Sequence, residues 1–293
     1  MNILFIGTVQ FSKKALELLI DMDAAPCGVV TRARSDFNTD HAALAPVCRA
    51  QGIPCLEIDK TDDDTAMEWM VNQSPDVVFC FGWSSLLPEP VIRMARMGVV
   101  GFHPAALPMN RGRHPLIWAL ALGLDETAST FFFIDEGVDS GDILSQKTVA
   151  IGDDDDASVL YEKVTRTALT QIREFVPALQ NGTYTRIPQD HNLANTWRKR
   201  GRADGRIDFR MGSRSIHNLV RALARPYAGA HVEYQGHDIK VWRAREVDAG
   251  SVNIEPGRIL SADSRGICVK CGDKAVSLVE HEFETLPGKG EYL

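Results

Sequence analysis

Short apolar runs alternate with stretches of helical spacing through the first half of the chain. The clearest runs lie at residues 2–6, 27–31, 53–57, 76–82 and 98–102. Most are followed by a segment in which apolar residues recur every three or four positions, as on one face of a helix. Residues 76–82 are apolar almost throughout, which is typical of a central strand in a parallel sheet. The pattern predicts an α/β fold: a Rossmann-like, mostly parallel sheet with helices on both faces.

The last third of the chain follows a different pattern. Residues 186–202 are polar and rich in Asn, Gln and Arg, which indicates a linker. Beyond a helical stretch at 213–223, short apolar runs alternate with turn residues, the pattern of a small β-barrel. We therefore predict two domains, residues 1–190 and residues 191–293.

Composition narrows the class of protein. The 293 residues carry a formal net charge of −7, which argues against a dedicated nucleic-acid binder but leaves room for a local basic patch. The apolar runs are too short for a membrane span and the chain starts directly with one of them, so we predict a cytoplasmic protein without a membrane partner. The scattered cysteines predict reduced core residues. Cys268 and Cys271 form the one close pair and lack the further ligands of a zinc site, so no metal is predicted.

Two polar residues stand where strands end. His103 directly follows the apolar run at 98–102, and Asp139 lies in the glycine-containing stretch 135–142, after the apolar run at 130–134. If the two strands are neighbours, the carboxylate can orient the imidazole and stabilise its protonated form, as general acid–base chemistry requires. Two unrelated loop residues would give the same spacing, so the spacing alone does not decide between these interpretations.

Two further loops are candidates for substrate contacts. Gly7, Thr8 and Gln10 follow the first predicted strand, at the edge where open α/β sheets bind ligands. The loop lacks the glycine pattern of a dinucleotide site. Two interpretations stay open: a loop that contacts a nucleotide, and a plain turn between strand and helix.

The second loop, around residues 110–114, contains Arg111, Arg113 and His114 and precedes a predicted helix. A helix N-terminus and arginine side chains favour phosphate or carboxylate groups. A solvated basic loop is the alternative.

Taken together, these segments resemble the formyltetrahydrofolate-dependent formyltransferases, the family of methionyl-tRNA formyltransferase and the sugar N-formyltransferases. The family pattern is Asn-x-His, then Leu-Pro and Arg-Gly, then Asp-x-Gly. In this chain it is matched in order by His103, Leu107-Pro108, Arg111-Gly112 and Asp139-Ser-Gly141. The resemblance extends to residues 1–8 and 221–230, and thus over nearly the whole chain. One position departs from it, because Gly101 stands where the family has Asn.

The resemblance implies a catalytic domain followed by an OB-like barrel, with N10-formyltetrahydrofolate as co-substrate. It also implies that the loop after the fourth strand binds the pterin, largely through backbone groups in an apolar slot. Without the resemblance, Trp83 and Leu87 would be interpreted as core residues. The residues that we expect to bind the folate are Phe81, Trp83, Leu87, Pro88, Leu107, Asp135 and Val138.

The resemblance also implies the roles of the site residues. His103 is expected to stabilise the oxyanion and move the proton, and Asp139 to orient His103. The expected acceptor is a nucleotide-linked amino sugar, contacted by Arg113 and His114, because the loop Arg32–Asp40 is short and its charges balance. Nucleic acid is not expected as a partner, and a homodimer is one option for the assembly.

Other functions stay open. The acceptor could be methionyl-tRNA, or the chain could bind folate or sugar nucleotide without efficient transfer because position 101 is glycine. Hydrolysis of formyltetrahydrofolate is a third option.

Gly101 also raises the question of a substitute donor. We predict that the amide of Asn110, or a water that it holds, fills the space at Gly101 and donates to the formyl oxygen. A turn residue without a catalytic role is the simpler interpretation of Asn110.

Overall fold

The computed structural model describes residues 1–34, 40–58, 64–248 and 253–293. Most of the loop Arg32–Asp40 lies outside the described residues. Residues 62 and 63 also lie outside them, where the acidic start of an amphipathic stretch predicts the N-terminus of a helix. The chain forms two compact units. The first comprises Met1–Gly112, Ala128–Val149 and Lys163–Thr196, and the second comprises Arg113–Thr127, Ala150–Glu162 and Trp197–Leu293. The boundary that we placed after residue 190 stays a prediction.

The described residues form the following elements. In chain order the strands are β1 (Ile3–Ile6), β2 (Gly28–Thr31), β3 (Cys55–Glu57), β4 (Val77–Cys80), β5 (Val99–His103), β6 (Arg111–Gly112), β7 (Glu126–Phe133), β8 (Ile143–Ala150), β9 (Thr196–Trp197), β10 (Ala230–Tyr234), β11 (His237–Val247), β12 (Ile259–Asp263), β13 (Gly266–Lys270) and β14 (Ala275–His281). The α-helices are α1 (Gln10–Asp21), α2 (Ala45–Gln51), α3 (Asp64–Asn72), α4 (Glu89–Arg93), α5 (Pro115–Ala121), α6 (Ala157–Asn181) and α7 (Ser213–Ala222). Of these helices, none is long and apolar enough to cross a bilayer.

The first unit is built on a seven-stranded sheet in the order β3-β2-β1-β4-β5-β7-β8. The ladders from β3 to β5 are parallel and β7 is antiparallel to β5, which confirms the mostly parallel sheet. The strand order reverses between β1 and β4. In open α/β sheets, ligands bind beside the carboxyl ends of the strands at such a reversal. The loops that follow β1 and β4 therefore border the expected site.

A cluster of phenylalanines fills the core beneath this edge of the sheet. Phe79 and Phe81 of the β4 segment stack at 5.1 Å, Phe131 of β7 meets Phe81 edge-on at 5.1 Å, and Phe175 of α6 lies 4.8 Å from Phe131. Tilted and edge-to-face ring pairs are favourable beyond the area that they bury. The cluster thus holds β4, β7 and α6 together under the site.

The second unit contains a five-stranded antiparallel sheet in the order β10-β11-β14-β13-β12. Register shifts interrupt the β11–β14 and β12–β13 ladders. Such bulges increase twist and bend a sheet. The small C-terminal β domain predicted from the short apolar runs is confirmed.

One buried arginine organises a loop of the second unit. Arg221 of α7 donates through Nη1 to the carbonyl oxygens of Gly152, Asp153 and Asp155, and through Nε to Asn218 Oδ1 at 2.9 Å. The loop ends where the backbone N–H of Val159 donates to Asp156 Oδ1 at 3.0 Å. Four consecutive acidic residues directly before an amphipathic stretch predict a helix N-cap, and the run 153–156 does cap α6.

We expect Arg221→Met to lower the free energy of unfolding by about 3 kcal/mol, because the buried carbonyl oxygen of Asp155 and two partly buried carbonyl oxygens would lose their donor. Arg214→Met is the matched control on the same helix. Its side chain is half exposed and ion-paired with Asp153 and Glu246, so the loss should stay below about 1 kcal/mol. Urea denaturation of both variants measures the difference. Equal losses would show that the loop does not depend on Arg221.

Candidate active site

His103 is the last residue of β5, and its ring is buried with both nitrogens accounted for. Nε2 lies 2.8 Å from the carbonyl oxygen of Asn110. Because a carbonyl oxygen only accepts, Nε2 must carry the hydrogen. Nδ1 faces Asp139 Oδ2 at 3.6 Å. The two residues that the sequence predicted as a pair therefore lie side by side, with Nδ1 left to exchange protons.

Asp139 is held by the loop around it, residues 135–142, which we call the Asp139 loop. Its φ is +50°, a left-handed conformation that non-glycine residues rarely adopt. Its Oδ2 accepts a hydrogen bond of 2.8 Å from the backbone N–H of Gly112. Asp135 organises the start of the loop, since its Oδ1 accepts from Ser140 Oγ at 2.6 Å and from the N–H of Gly137 at 3.0 Å. The carboxylate of Asp139 is thus aimed by backbone geometry.

Asn110 meets His103 through its backbone. It also has a left-handed φ, of +64°, and its N–H donates to Asn195 Oδ1 at 2.6 Å. The next N–H, of Arg111, donates to the carbonyl of Asn195 at 3.1 Å. Asn195 therefore fixes the peptide whose carbonyl binds His103.

The space at Gly101 is filled, contrary to our expectation of a vacancy. A β-carbon at this position would lie 2.9 and 3.0 Å from Cγ1 and Cδ1 of Ile134, and 3.2 Å from the ring of Phe132. Close packing across the β5–β7 pair, where Gly101 is opposite Phe132, explains this. A donor role for the Asn110 side chain stays a prediction, but the room it was expected to occupy belongs to Ile134.

Two residues expected to bind the folate have side chains in the core. Phe81 is fully buried in the phenylalanine cluster, and Leu107 packs on Phe132 and Ile143. Phe81 also uses its backbone N–H and carbonyl oxygen in hydrogen bonds within the protein, and both residues are at most 3% exposed. Folate binding at these two positions stays a prediction.

The other expected folate residues are more accessible. Trp83 and Leu87 are half-buried against the sheet, and Pro88 precedes α4. Asp135 is exposed, and Val138 is 56% exposed. Arg32 was not predicted, yet its guanidinium stacks 4.4 Å over the Trp83 ring and donates to Ser85 Oγ at 2.8 Å. The loop after β4 is therefore tied to the end of β2.

The loop after β1 is tied to the loop after β4 by one hydroxyl. Ser12 Oγ accepts from the N–H of Thr8 and of Val9, and donates to the carbonyl of Phe81 at 2.6 Å. A β-carbon at Gly7 would lie 2.6 Å from that same carbonyl oxygen, so only glycine fits. Thr8 is buried, which leaves the exposed Gln10 as the polar side chain that this loop presents.

Arg111 does not face solvent as a substrate arginine should. It is 9% exposed, and its Nη2 donates to Gln189 Oε1 at 2.6 Å and lies 3.1 Å from His191 Nδ1. The interpretation as an open anion ligand is corrected, because Arg111 is buried and its guanidinium is engaged by Gln189 and His191. Gln189 and Asn195 were missed at the sequence level. Both lie in the polar stretch that predicted a linker, and polar composition carries no sign of burial.

Arg113 and His114 belong to the second unit. His114 is the N-cap residue that precedes α5, and its φ of +56° is left-handed. Burial lowers the pKa of His114, and the neighbouring charges of Arg113, Lys199 and Arg200 lower that pKa further, while Asp204 opposes them. The lowered pKa favours the neutral ring, which can still form a hydrogen bond, so the expected contact of His114 with the sugar nucleotide or its diphosphate also stays a prediction. A contact between Arg113 and substrate stays a prediction.

A histidine with one nitrogen committed to a carbonyl and the other facing a carboxylate is typical of enzyme sites that move protons. Comparison with known families gives the class. Residues 8–174 match the formyl transferase family, and residues 200–287 match the formyl transferase C-terminal domain. The chain belongs to the formyl transferase family and is an enzyme that transfers formyl groups.

Individual relatives agree on this family. The methionyl-tRNA formyltransferase of Geobacter metallireducens is 29% identical over 97% of this chain and 91% of its own. Among solved structures, HypX from Aquifex aeolicus in complex with tetrahydrofolic acid is 18% identical with a TM-score of 0.68, over 97% of this chain and 44% of its own. The Helicobacter canadensis N-formyltransferase, in complex with folinic acid and dTDP-3-aminofucose, is 15% identical with a TM-score of 0.70, over 95% of this chain and 99% of its own. At these identities the structural matches show the fold alone.

The filled space at Gly101 leads to a test of packing. We expect Gly101→Asn to lower the free energy of unfolding by about 1–3 kcal/mol, because the new side chain must displace Ile134. Adding Ile134→Ala should recover part of that loss, with a coupling energy above about 0.5 kcal/mol. Urea denaturation of the single and double variants measures both values.

Gly201→Asn is the matched control, since no atom lies within 4 Å of the β-carbon position there. Its effect should stay within about 0.5 kcal/mol. If Gly101→Asn were as mild as this control, position 101 would have room for the amide after all.

Proposed function

We propose that this protein transfers the formyl group of formyltetrahydrofolate to the amine of a nucleotide-linked amino sugar. The observation that carries the reaction is the geometry of His103, with Nε2 committed to the Asn110 carbonyl and Nδ1 beside Asp139. The formyl donor is the folate co-substrate of this family. The choice of a nucleotide-linked amino sugar as acceptor rests on the paired charges of the second unit and on the net charge of the chain.

The residues of the first unit fit a folate. Leu86 in the loop after β4 is 86% exposed, and Val138 in the Asp139 loop is also exposed. Both apolar side chains can therefore pack against a flat ring system. The indole Nε1 of Trp83 is buried and has no hydrogen-bond partner among the described residues. A pterin ring offers both apolar faces and hydrogen-bonding atoms. This orphaned donor supports folate binding at the loop.

The chemistry assigns work to Nδ1 of His103. Formyl transfer forms a bond from the acceptor nitrogen to the formyl carbon and breaks the bond from that carbon to the folate nitrogen. The acceptor amine loses one proton and the folate nitrogen gains one. Because Nε2–H is held by a carbonyl, Nδ1 takes up the proton and returns it, and the carboxylate of Asp139 stabilises the imidazolium between these steps.

Charge pairing in the second unit supports a small acceptor. Many arginines there face a carboxylate: Arg198 pairs with Asp204 at 2.5 Å, Arg202 with Asp238 at 2.6 Å and Arg210 with Asp208 at 2.5 Å. An RNA-binding surface neutralises phosphates with its own Lys and Arg side chains. Arginines already neutralised within the protein, in a chain of net charge −7, do not supply that surface.

Methionyl-tRNA is the second candidate acceptor. The observation that favours it is the similarity to the Geobacter metallireducens methionyl-tRNA formyltransferase over nearly the whole chain. Residues 35–39 of the loop Arg32–Asp40 lie outside the described part of the chain, so the structure does not bear on the charge balance of this loop.

We expect His103→Gln and Asp139→Asn each to lower kcat by about 10²–10⁴-fold, since each removes a group that moves or stabilises the proton. Single-turnover formyl transfer, followed by tetrahydrofolate release, measures the loss. His217→Gln is the matched control. Its Nδ1 also lies 2.9 Å from a backbone carbonyl, that of Ala244, and its activity should be unchanged. An active His103 variant would remove this residue from the mechanism.

The acceptor is tested by direct competition. We expect a panel of nucleoside-diphosphate amino sugars to contain at least one acceptor with a higher kcat/KM than methionyl-tRNA. Binding of that acceptor should depend only weakly on salt, because few counterions are released. Faster formylation of methionyl-tRNA than of every sugar would reverse the assignment. Tetrahydrofolate release without any acceptor would instead indicate hydrolysis.

A further inference from the structure

Gln189 is a buried glutamine whose hydrogen bonds join both sides of the His103–Asp139 pair. It is 7% exposed. Its Nε2 donates to the carbonyl oxygen of Asp139 at 2.9 Å and to that of Gly141 at 2.7 Å. Its Oε1 accepts from Arg111 Nη2 at 2.6 Å. Because carbonyls only accept and a guanidinium only donates, the amide has a single satisfied orientation.

The first side of this bridge is the Asp139 loop. Asp139 has a left-handed backbone conformation, which is unfavourable for a residue with a side chain. Gln189 binds the carbonyls of Asp139 and Gly141, on either side of Ser140. Those two bonds fix the peptide planes that determine where the Asp139 carboxylate points.

The second side of the bridge is the segment 110–112. Arg111, which Gln189 binds, lies between the residue whose carbonyl holds His103 Nε2 and the residue whose N–H holds Asp139 Oδ2. One side chain therefore connects the backbone that orients the imidazole to the backbone that orients the carboxylate. A displacement of about 1 Å at such a pair costs as much as 10²-fold in rate.

We propose that Gln189 is the positioning residue that sets the distance between His103 and Asp139. This inference rests on the proposed function for its kinetic consequences, and on geometry alone for its effect on His103. The charged or titratable groups that the hydrogen bonds of Gln189 connect to the pair are Arg111, which donates to Gln189, and His191, which lies 3.1 Å from Arg111 Nη2.

The test compares Gln189→Met with Gln171→Met. Gln171 is fully buried in the same unit and donates to the carbonyl of Ser129 at 3.1 Å and to Ser145 Oγ at 2.9 Å. It therefore matches Gln189 in burial and in its two donated hydrogen bonds, whereas its Oε1 has no partner among the described residues. Both variants lose hydrogen bonds of similar kind, and thermal melts establish that they are folded. Gln189→Glu, which keeps a partner for Arg111 but loses both donors, is the second variant if Gln189→Met does not fold.

The first readout is the nitrogen NMR signal of His103 Nδ1 at one fixed pH, which needs no substrate. In Gln189→Met this signal should shift, because the Asp139 carboxylate that faces Nδ1 is no longer held in place. In Gln171→Met the signal should not move. An unchanged signal in folded Gln189→Met overturns the proposal, whether or not the protein transfers formyl groups.

The second readout is kinetic. Gln189→Met should lower kcat by about 10–100-fold with KM within about 3-fold of wild type. In an Asp139→Asn background the same change should have little further effect, because the residue through which Gln189 acts has lost its charge. A full additional loss in that background overturns the positioning role. A wild type without transfer activity would refute the proposed function and leave the NMR readout to decide on Gln189.

Discussion

The bond from His103 Nε2 to the carbonyl of Asn110 is the constraint on which the site depends. It fixes the tautomer of the imidazole and leaves one nitrogen for chemistry, facing Asp139. That carbonyl is in place only because the left-handed Asn110 is anchored by Asn195, a residue that follows it by 85 positions in sequence. The catalytic geometry is thus imposed by backbone groups whose own positions are set by distant side chains.

Strain and burial are concentrated in the same small region. Asp139 and Asn110 both have positive φ. The carbonyl of Asp139 accepts from Gln189, and Asn110 directly precedes Arg111, which donates to the same glutamine. Unfavourable backbone conformations persist where the surrounding structure holds them in place. The buried arginine and glutamine provide that support. If the loop moved, their buried donors and acceptors would lose their hydrogen-bond partners, at a large cost in free energy. The pair is therefore stiff at the point where proton transfer needs a constant distance.

Several features could be predicted from the chain itself. The apolar runs determine the strands of the parallel sheet, because a strand buried on both faces needs apolar residues throughout. The acidic run 153–156 determines the start of α6, since a cap acts on its own backbone. Spacing marked His103 and Asp139 as candidates because the residues after a strand are placed by that strand, and the family resemblance then implied that they form a pair. In each case the signal is local, between residues close in sequence.

Other features were decided by the tertiary structure. The packing of Ile134 into the space beside Gly101, the burial of Arg111 and the roles of Gln189 and Asn195 each join segments that are far apart along the chain. Nothing in the residues near Gln189 distinguishes it from a solvated linker residue, because its burial is created by loops more than 40 positions earlier. Sequence by itself determined which elements form and which groups are chemically able to react. Their separations and protonation sites depend on how those elements pack, which only the folded chain provides.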